Sequence, residues 1–167
     1  PSDCNAPCFI GIRPGITRMP EAQKLLESHP WVGQIHSRLD SGCCTIALSW
    51  RWNGQQPDMF GNNENTVYFS YDPHTGQQIV QNIAIHTQIS AGDAILTLGK
   101  WPLADSGALQ GLNTAYVEVF YREQAVHLSM DIGCPLNRWQ LWQAPVTLAL
   151  NRSADDLTGM QPINRVC

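Results

Sequence analysis

Apolar and polar residues alternate with a period of two along much of this chain, and a helical period replaces that alternation in two short places. In "CTIALSWRW", residues 44–52, Ile46, Leu48, Trp50 and Trp52 fall on one face. Thr45, Ala47, Ser49 and Arg51 fall on the other, the pattern of a half-buried strand. Residues 53–65 are turn-rich. "TVYFSYD" resumes a strand, "PHTG" turns it, and "QQIVQNIAIHTQI" continues the alternation through residue 89. Residues 115–132 read as two strands turning near Glu123 and Gln124, and "APVTLAL", residues 144–150, as another.

The first helical signal lies in residues 16–31. Thr17 is the expected N-cap, Pro20 sits in the first turn, and Ala22, Leu25 and Leu26 supply an i, i+3, i+4 stripe that His29-Pro30 stops. A helix of roughly ten residues is expected. The second signal is "ISAGDAILTLGKWP", residues 89–102. Ser90 with Asp93 forms an S-x-x-D capping box, Ala94, Ile95 and Leu98 form the apolar face, and Gly99 closes the helix. The Gly99-Lys100 pair is no phosphate loop. It stands at the wrong end of the helix, lacks the upstream glycine, and is followed by Trp101.

The two helical stretches share an Ile, a hydroxyl cap, an acid-Ala pair, a leucine and a Trp-Pro neighbourhood, and each is followed by alternating strands. The expectation is an α+β fold, a tandem repeat of a short helix followed by antiparallel strands, with the helices packed on the sheet. The repeats are placed at 1–82, with an N-terminal Cys-rich arm, and 83–167, with a C-terminal tail.

Six cysteines add a covalent expectation: Cys4, Cys8, Cys43, Cys44, Cys134 and Cys167. They lack the paired knuckles of a structural zinc site, so disulfides and an oxidising compartment are expected. A bond between the adjacent Cys43 and Cys44 is the least favoured of the pairings. The chain opens at Pro1 without Met and has no apolar run of membrane length, so it reads as an exported protein whose leader has been removed.

Charge narrows the function classes. Charged residues are only 14% of the chain and the formal net charge is −4, with no basic stripe, which argues against a nucleic-acid partner. Catalytic motifs are absent: the five histidines are scattered, no G-x-S-x-G elbow occurs, and His86 and His127 both alternate onto a face read as solvated. Asp155-Asp156 is the one adjacent carboxylate pair and reads as a solvated turn. Asp72, His74 and His127 are the residues a hydrolase would draw on. The residues of "PDMFGNNEN" fail the calcium-loop spacing, and Asn151 begins an N-x-S acceptor triplet. No cofactor, metal or catalytic residue is expected. The excess lies in six tryptophans, of which Trp50, Trp52, Trp139 and Trp142 are candidates for partner binding, with core packing as the alternative for each.

The capped helices also carry a resemblance. Ser90, Asp93, Leu98, Gly99 and Pro102 resemble the Gly-x-Thr/Ser cap, short helix and closing Leu-Gly-x-Pro of the BamE/SmpA and beta-lactamase-inhibitor-protein-like exported domains. Gly15 and Thr17 keep the start of that pattern, while Leu26-Glu27 and His29-Pro30-Trp31 depart from it. The segment "PCFIGIRPGIT", residues 7–17, is similar to exported proteins of filamentous green bacteria of the Chloroflexi type. The resemblance covers residues 7–31 and 83–131. It implies helices on an antiparallel sheet and a non-enzymatic role in envelope assembly or protein binding. The function expected is therefore a non-catalytic, extracellular or envelope-associated domain with a protein partner or self-assembly. An inhibitor or ligand-binding module using an aromatic sheet face is the alternative, and a cell-wall hydrolase stands behind both.

Overall fold

The computed structural model describes residues 7–39, 46–100, 106–135 and 137–150. Within them the order is α1 (Met19–Ser28), β1 (Val32–Leu39), β2 (Ile46–Trp52), β3 (Asn65–Asp72), β4 (Gln77–Ser90) and α2 (Ala91–Leu98). There follow β5 (Ser106–Gln110), β6 (Thr114–Tyr121), a 3-10 turn at Arg122–Gln124, β7 (Val126–Gly133), α3 (Arg138–Gln143) and β8 (Pro145–Leu150). The eight strands form one antiparallel sheet in the order β1-β2-β3-β4-β8-β7-β6-β5. The last strand thus enters the middle, pairing with β4 on one side and β7 on the other.

Register puts the apolar alternation on one face. Leu48 pairs with Val67, Val67 with Ile83, Ile83 with Leu150, Leu150 with Val126, and Val126 with Tyr121. All of these are buried, and they share one core with Ala22 and Leu26 of α1 and Ala91 and Ala94 of α2. The helices therefore cover this face. Each fully buried Leu, Ile, Val or Phe here contributes about 1.5–3 kcal/mol of transfer free energy. At the β2 end, Phe9, Trp31, Trp50, Trp52 and Phe60 close the core as an aromatic cluster, Trp50 and Trp52 standing edge to face at 5.7 Å. Their two indole N–H groups are buried and find no hydrogen-bond acceptor among the described residues. Ring packing alone holds them.

Local chemistry places the helices. Ahead of α1, Gly15 N–H donates to the Val80 carbonyl and Val80 N–H to the Thr17 carbonyl, so the approach to α1 is stitched to β4. Arg18, not Thr17, is the N-cap residue, and it offers no side-chain cap. The Thr17 hydroxyl accepts instead from Arg13 N–H at 2.8 Å, closing the turn before the helix. In α2 the expected cap is present: Ser90 Oγ accepts from Asp93 N–H at 3.1 Å and donates to the Asp93 carboxylate at 2.7 Å. Gly99 ends that helix at φ 100°, a conformation glycine takes without a Cβ penalty.

The architecture corrects the expected fold class. The molecule is predominantly one antiparallel sheet with few, short helices, and it is not a tandem repeat of helix and strands. The sheet is continuous from edge to edge, α3 stands between β7 and β8, and the position 82/83 falls inside β4. The similarity between residues 16–31 and 89–102 is one of sequence only: α1 starts at Arg18 without a side-chain cap and ends at an extended His29, whereas α2 is capped by Ser90 and ended by Gly99. The disulfide-stapled description is corrected too: no pair of cysteines stands at disulfide distance among the described residues. Of the six, Cys4, Cys43, Cys44 and Cys167 lie outside those residues. Cys8 and Cys134 are described, and neither is a free thiol. Hydrophobic burial and backbone ladders hold the described sheet.

Candidate functional site

Four tryptophans were singled out by sequence, and the structure divides them. Trp50 is 0% exposed and Trp52 8%, so both belong to the core and neither presents a sheet face to a partner. Trp139 and Trp142 are 65% and 40% exposed on α3. The reason is local. The helix α3 is one short turn-and-a-half, RWQLWQ, capped by Asn137, whose side chain accepts from Trp139 N–H at 2.8 Å, and none of its residues is buried. Only Leu141 turns towards the core.

Trp142 is seated by its neighbour. A Cβ at Gly92 of α2 would run into the Trp142 indole, so glycine at this position is what allows the ring to lie on the helix. Leu96 lies one turn beyond Gly92 on the same side of α2 and is 73% exposed. Leu96, Trp142 and Trp139 therefore form an apolar patch across two touching helices, with Tyr121 bracing the far end of α2 through a hydroxyl that donates to the Gly99 carbonyl at 3.4 Å. Burial raises the Tyr121 pKa above its ordinary value, so the phenol keeps its proton.

The opposite face of the sheet has a different character. Small residues occupy its centre, where Ala84 pairs with Ala149 and Thr147 with Ser129. Larger side chains stand to either side, and an open hollow of ≈ 470 Å³ lies between them, with Tyr68, Asn82, His86, Tyr116 and Asp131 among its lining. The hairpin formed by β6 and β7 sets Ser129 opposite Glu118 and His127 opposite Phe120. His127 Nε2 lies 3.5 Å from a Glu118 carboxylate oxygen, and its ring stacks on Phe120 at 4.3 Å. His86 Nδ1 and the Thr147 hydroxyl are 3.0 Å apart.

The histidines correct the solvated reading in part. His127 is 1% exposed and Glu118 0%, so this carboxylate–imidazole pair is buried. His86 is half-buried, His36 and His74 are exposed, and His29 is half-buried. Sequence reasoning missed the pair because alternation marks both residues as belonging to the face away from the core. Folding the hairpin about Glu123 would have brought them together, since that register sets Glu118 two pairs from His127 on the same face. Asp72 and His74 are turn residues: the Asp72 carboxylate accepts from Thr75 Oγ1 at 2.7 Å and from His74 N–H at 2.9 Å. Those two bonds hold its carboxyl below the usual carboxylate range. They stand at the β3–β4 hairpin tip, four residues beyond Tyr68, and do not join His127. Asn151 and the Asp155-Asp156 pair lie outside the described residues.

Among the described residues no group of three or more His, Cys, Asp or Glu side chains gathers in metal-holding geometry, and no helix is long and apolar enough to cross a membrane. Searches of protein-family models, of curated proteins and of solved structures find no match to this chain.

Proposed function

We propose that this chain is an exported, non-catalytic protein-binding domain, a subunit or accessory of an extracellular or envelope assembly, and that it docks through α2 and α3. The observation that carries the reading is the exposure of Trp139, Trp142 and Leu96 on two contacting helices. A soluble domain has little reason to leave two indoles on its surface, whereas tryptophan anchors dominate the energetics of protein interfaces. The low charge of the chain supports the same reading, because charged groups are depleted at the centre of such interfaces. The polar, uncharged surface and the likeness of the α2 cap to that of exported assembly domains support placement outside the cytoplasm.

The test is site-specific photocrosslinking from position 139 in the native envelope, with a probe at exposed Arg51 as control, followed by light scattering on the purified protein. One dominant partner, or a second copy of this chain, crosslinked from 139 and lost in Trp142→Ala is the expected result. A monomer that yields the same faint crosslinks from both positions overturns the proposal.

A further inference from the structure

The hollow on the face away from the helices has a composition of its own. An outer face of an antiparallel sheet is ordinarily a field of long polar side chains in water. Here small residues at the centre of β4, β7 and β8 lower the floor, and two tyrosines rise on strands four spacings apart, roughly 19 Å at a strand separation near 4.8 Å. The volume, ≈ 470 Å³, falls in the range of ligand clefts.

Its chemistry selects a ligand class. Among the described residues no lysine or arginine lines it and Asp131 is its one carboxylate, so an anionic ligand would meet no countercharge from them. The remaining polar groups are amides, hydroxyls and imidazoles, each able both to donate and to accept. His86 is held for this role: its backbone N–H donates to the Asn65 side chain at 3.0 Å and its ring is set against Thr147. Tyr68 and Tyr116 add flat apolar surfaces with a polar tip.

We propose that this hollow binds a neutral, polyhydroxylated chain, an oligosaccharide, with Asn82, His86, Thr147 and Asp131 bonding its hydroxyls and Tyr68 and Tyr116 stacking on its sugar rings. A saccharide hydroxyl matches groups that donate and accept together, and its C–H faces match the tyrosine rings. The length between the tyrosines favours several linked sugars over one. The site is independent of the α2–α3 patch, which lies on the other side of the sheet.

Maltotetraose, cellotetraose and chitotetraose are titrated into the intact chain by calorimetry and by amide-shift mapping, with tetragalacturonate and a neutral tetrapeptide as comparison probes. The expected result is saturable binding of at least one neutral tetrasaccharide, with shifts confined to β3, β4, β6, β7 and β8. Asn82→Ala and Tyr116→Ala should each weaken it about tenfold while circular dichroism stays unchanged, and Tyr116→Phe should retain most of it. If a variant loses the fold, Asp131→Asn, an exposed position, serves as the second reading. Absence of binding by all three neutral sugars, tighter binding of the polyanion or the peptide, or shifts outside the hollow overturns the proposal.

Discussion

At Gly92 a single missing carbon decides how two helices meet. The Trp142 indole lies where a side chain would otherwise project, so Gly92→Ala should displace α3 and cost about 1–3 kcal/mol in urea denaturation, as overpacking does. Adding Trp142→Ala should restore most of that loss, a coupling that two independent sites would not show. His29 offers a second test at this scale. Its neutral Nδ1 accepts from Trp31 N–H at 3.3 Å, its ring meets Trp31 edge to face, and partial burial lowers its pKa from the ordinary value of 6.5. The unfolded chain therefore takes up this proton first as pH falls. The contribution of His29 to stability should be complete above the ordinary imidazole value and should decline as pH drops through it, levelling off below the folded-state pKa. The His29→Asn variant should lack that slope in paired denaturation series, and a His29 resonance titrating at or above 6.5 would contradict the assignment.

At the scale of elements, the interior strands were legible in the sequence and the edges were not. β2, β3, β4, β6, β7 and β8 each turn one face towards the helices, so an apolar residue recurs there at every second position, although β6 and β7 also bury Glu118, Phe120, His127 and Ser129 on the other face. Among the described residues β1 pairs only with β2, and VGQIHSRL leaves most of its described side chains half-exposed or exposed. β5, SGALQ, pairs among the described residues only with β6 and is five residues long. An edge strand is held by its ladder more than by burial, and so writes little into hydrophobicity. α3 left no stripe for the same reason, having no buried residue, although its tryptophans were noticed. Capping chemistry is local and was read correctly in α2, where Ser90→Ala should cost about 1 kcal/mol in thermal or urea denaturation. The same substitution at Thr17 should act on the turn before α1 and leave the helix itself in place, because its hydroxyl serves Arg13. The hollow was illegible because it depends on which small residues become neighbours across strands, and that is fixed only by register.

For the whole molecule, the decisive relation is the one between the middle of the sheet and the end of the described chain. β4 is the longest described strand; Gly15–Arg18 bond its free side at Ile79 and Val80, and β8 is the strand that covers it from Ile83 to Ser90. A chain arriving from the ribosome therefore carries an unsatisfied ladder from the moment β4 forms until Pro145–Leu150 emerges, and β7 is left with the same need. An open, apolar strand edge is a template for the wrong neighbour. A chain cut before Pro145 should aggregate through β4, and a peptide carrying residues 144–150 supplied in trans should suppress that aggregation, as followed by turbidity. Synthesis of this protein thus includes an interval in which its most vulnerable edge waits for β8, and a cell that makes it in quantity has reason to keep a holding factor beside the emerging chain.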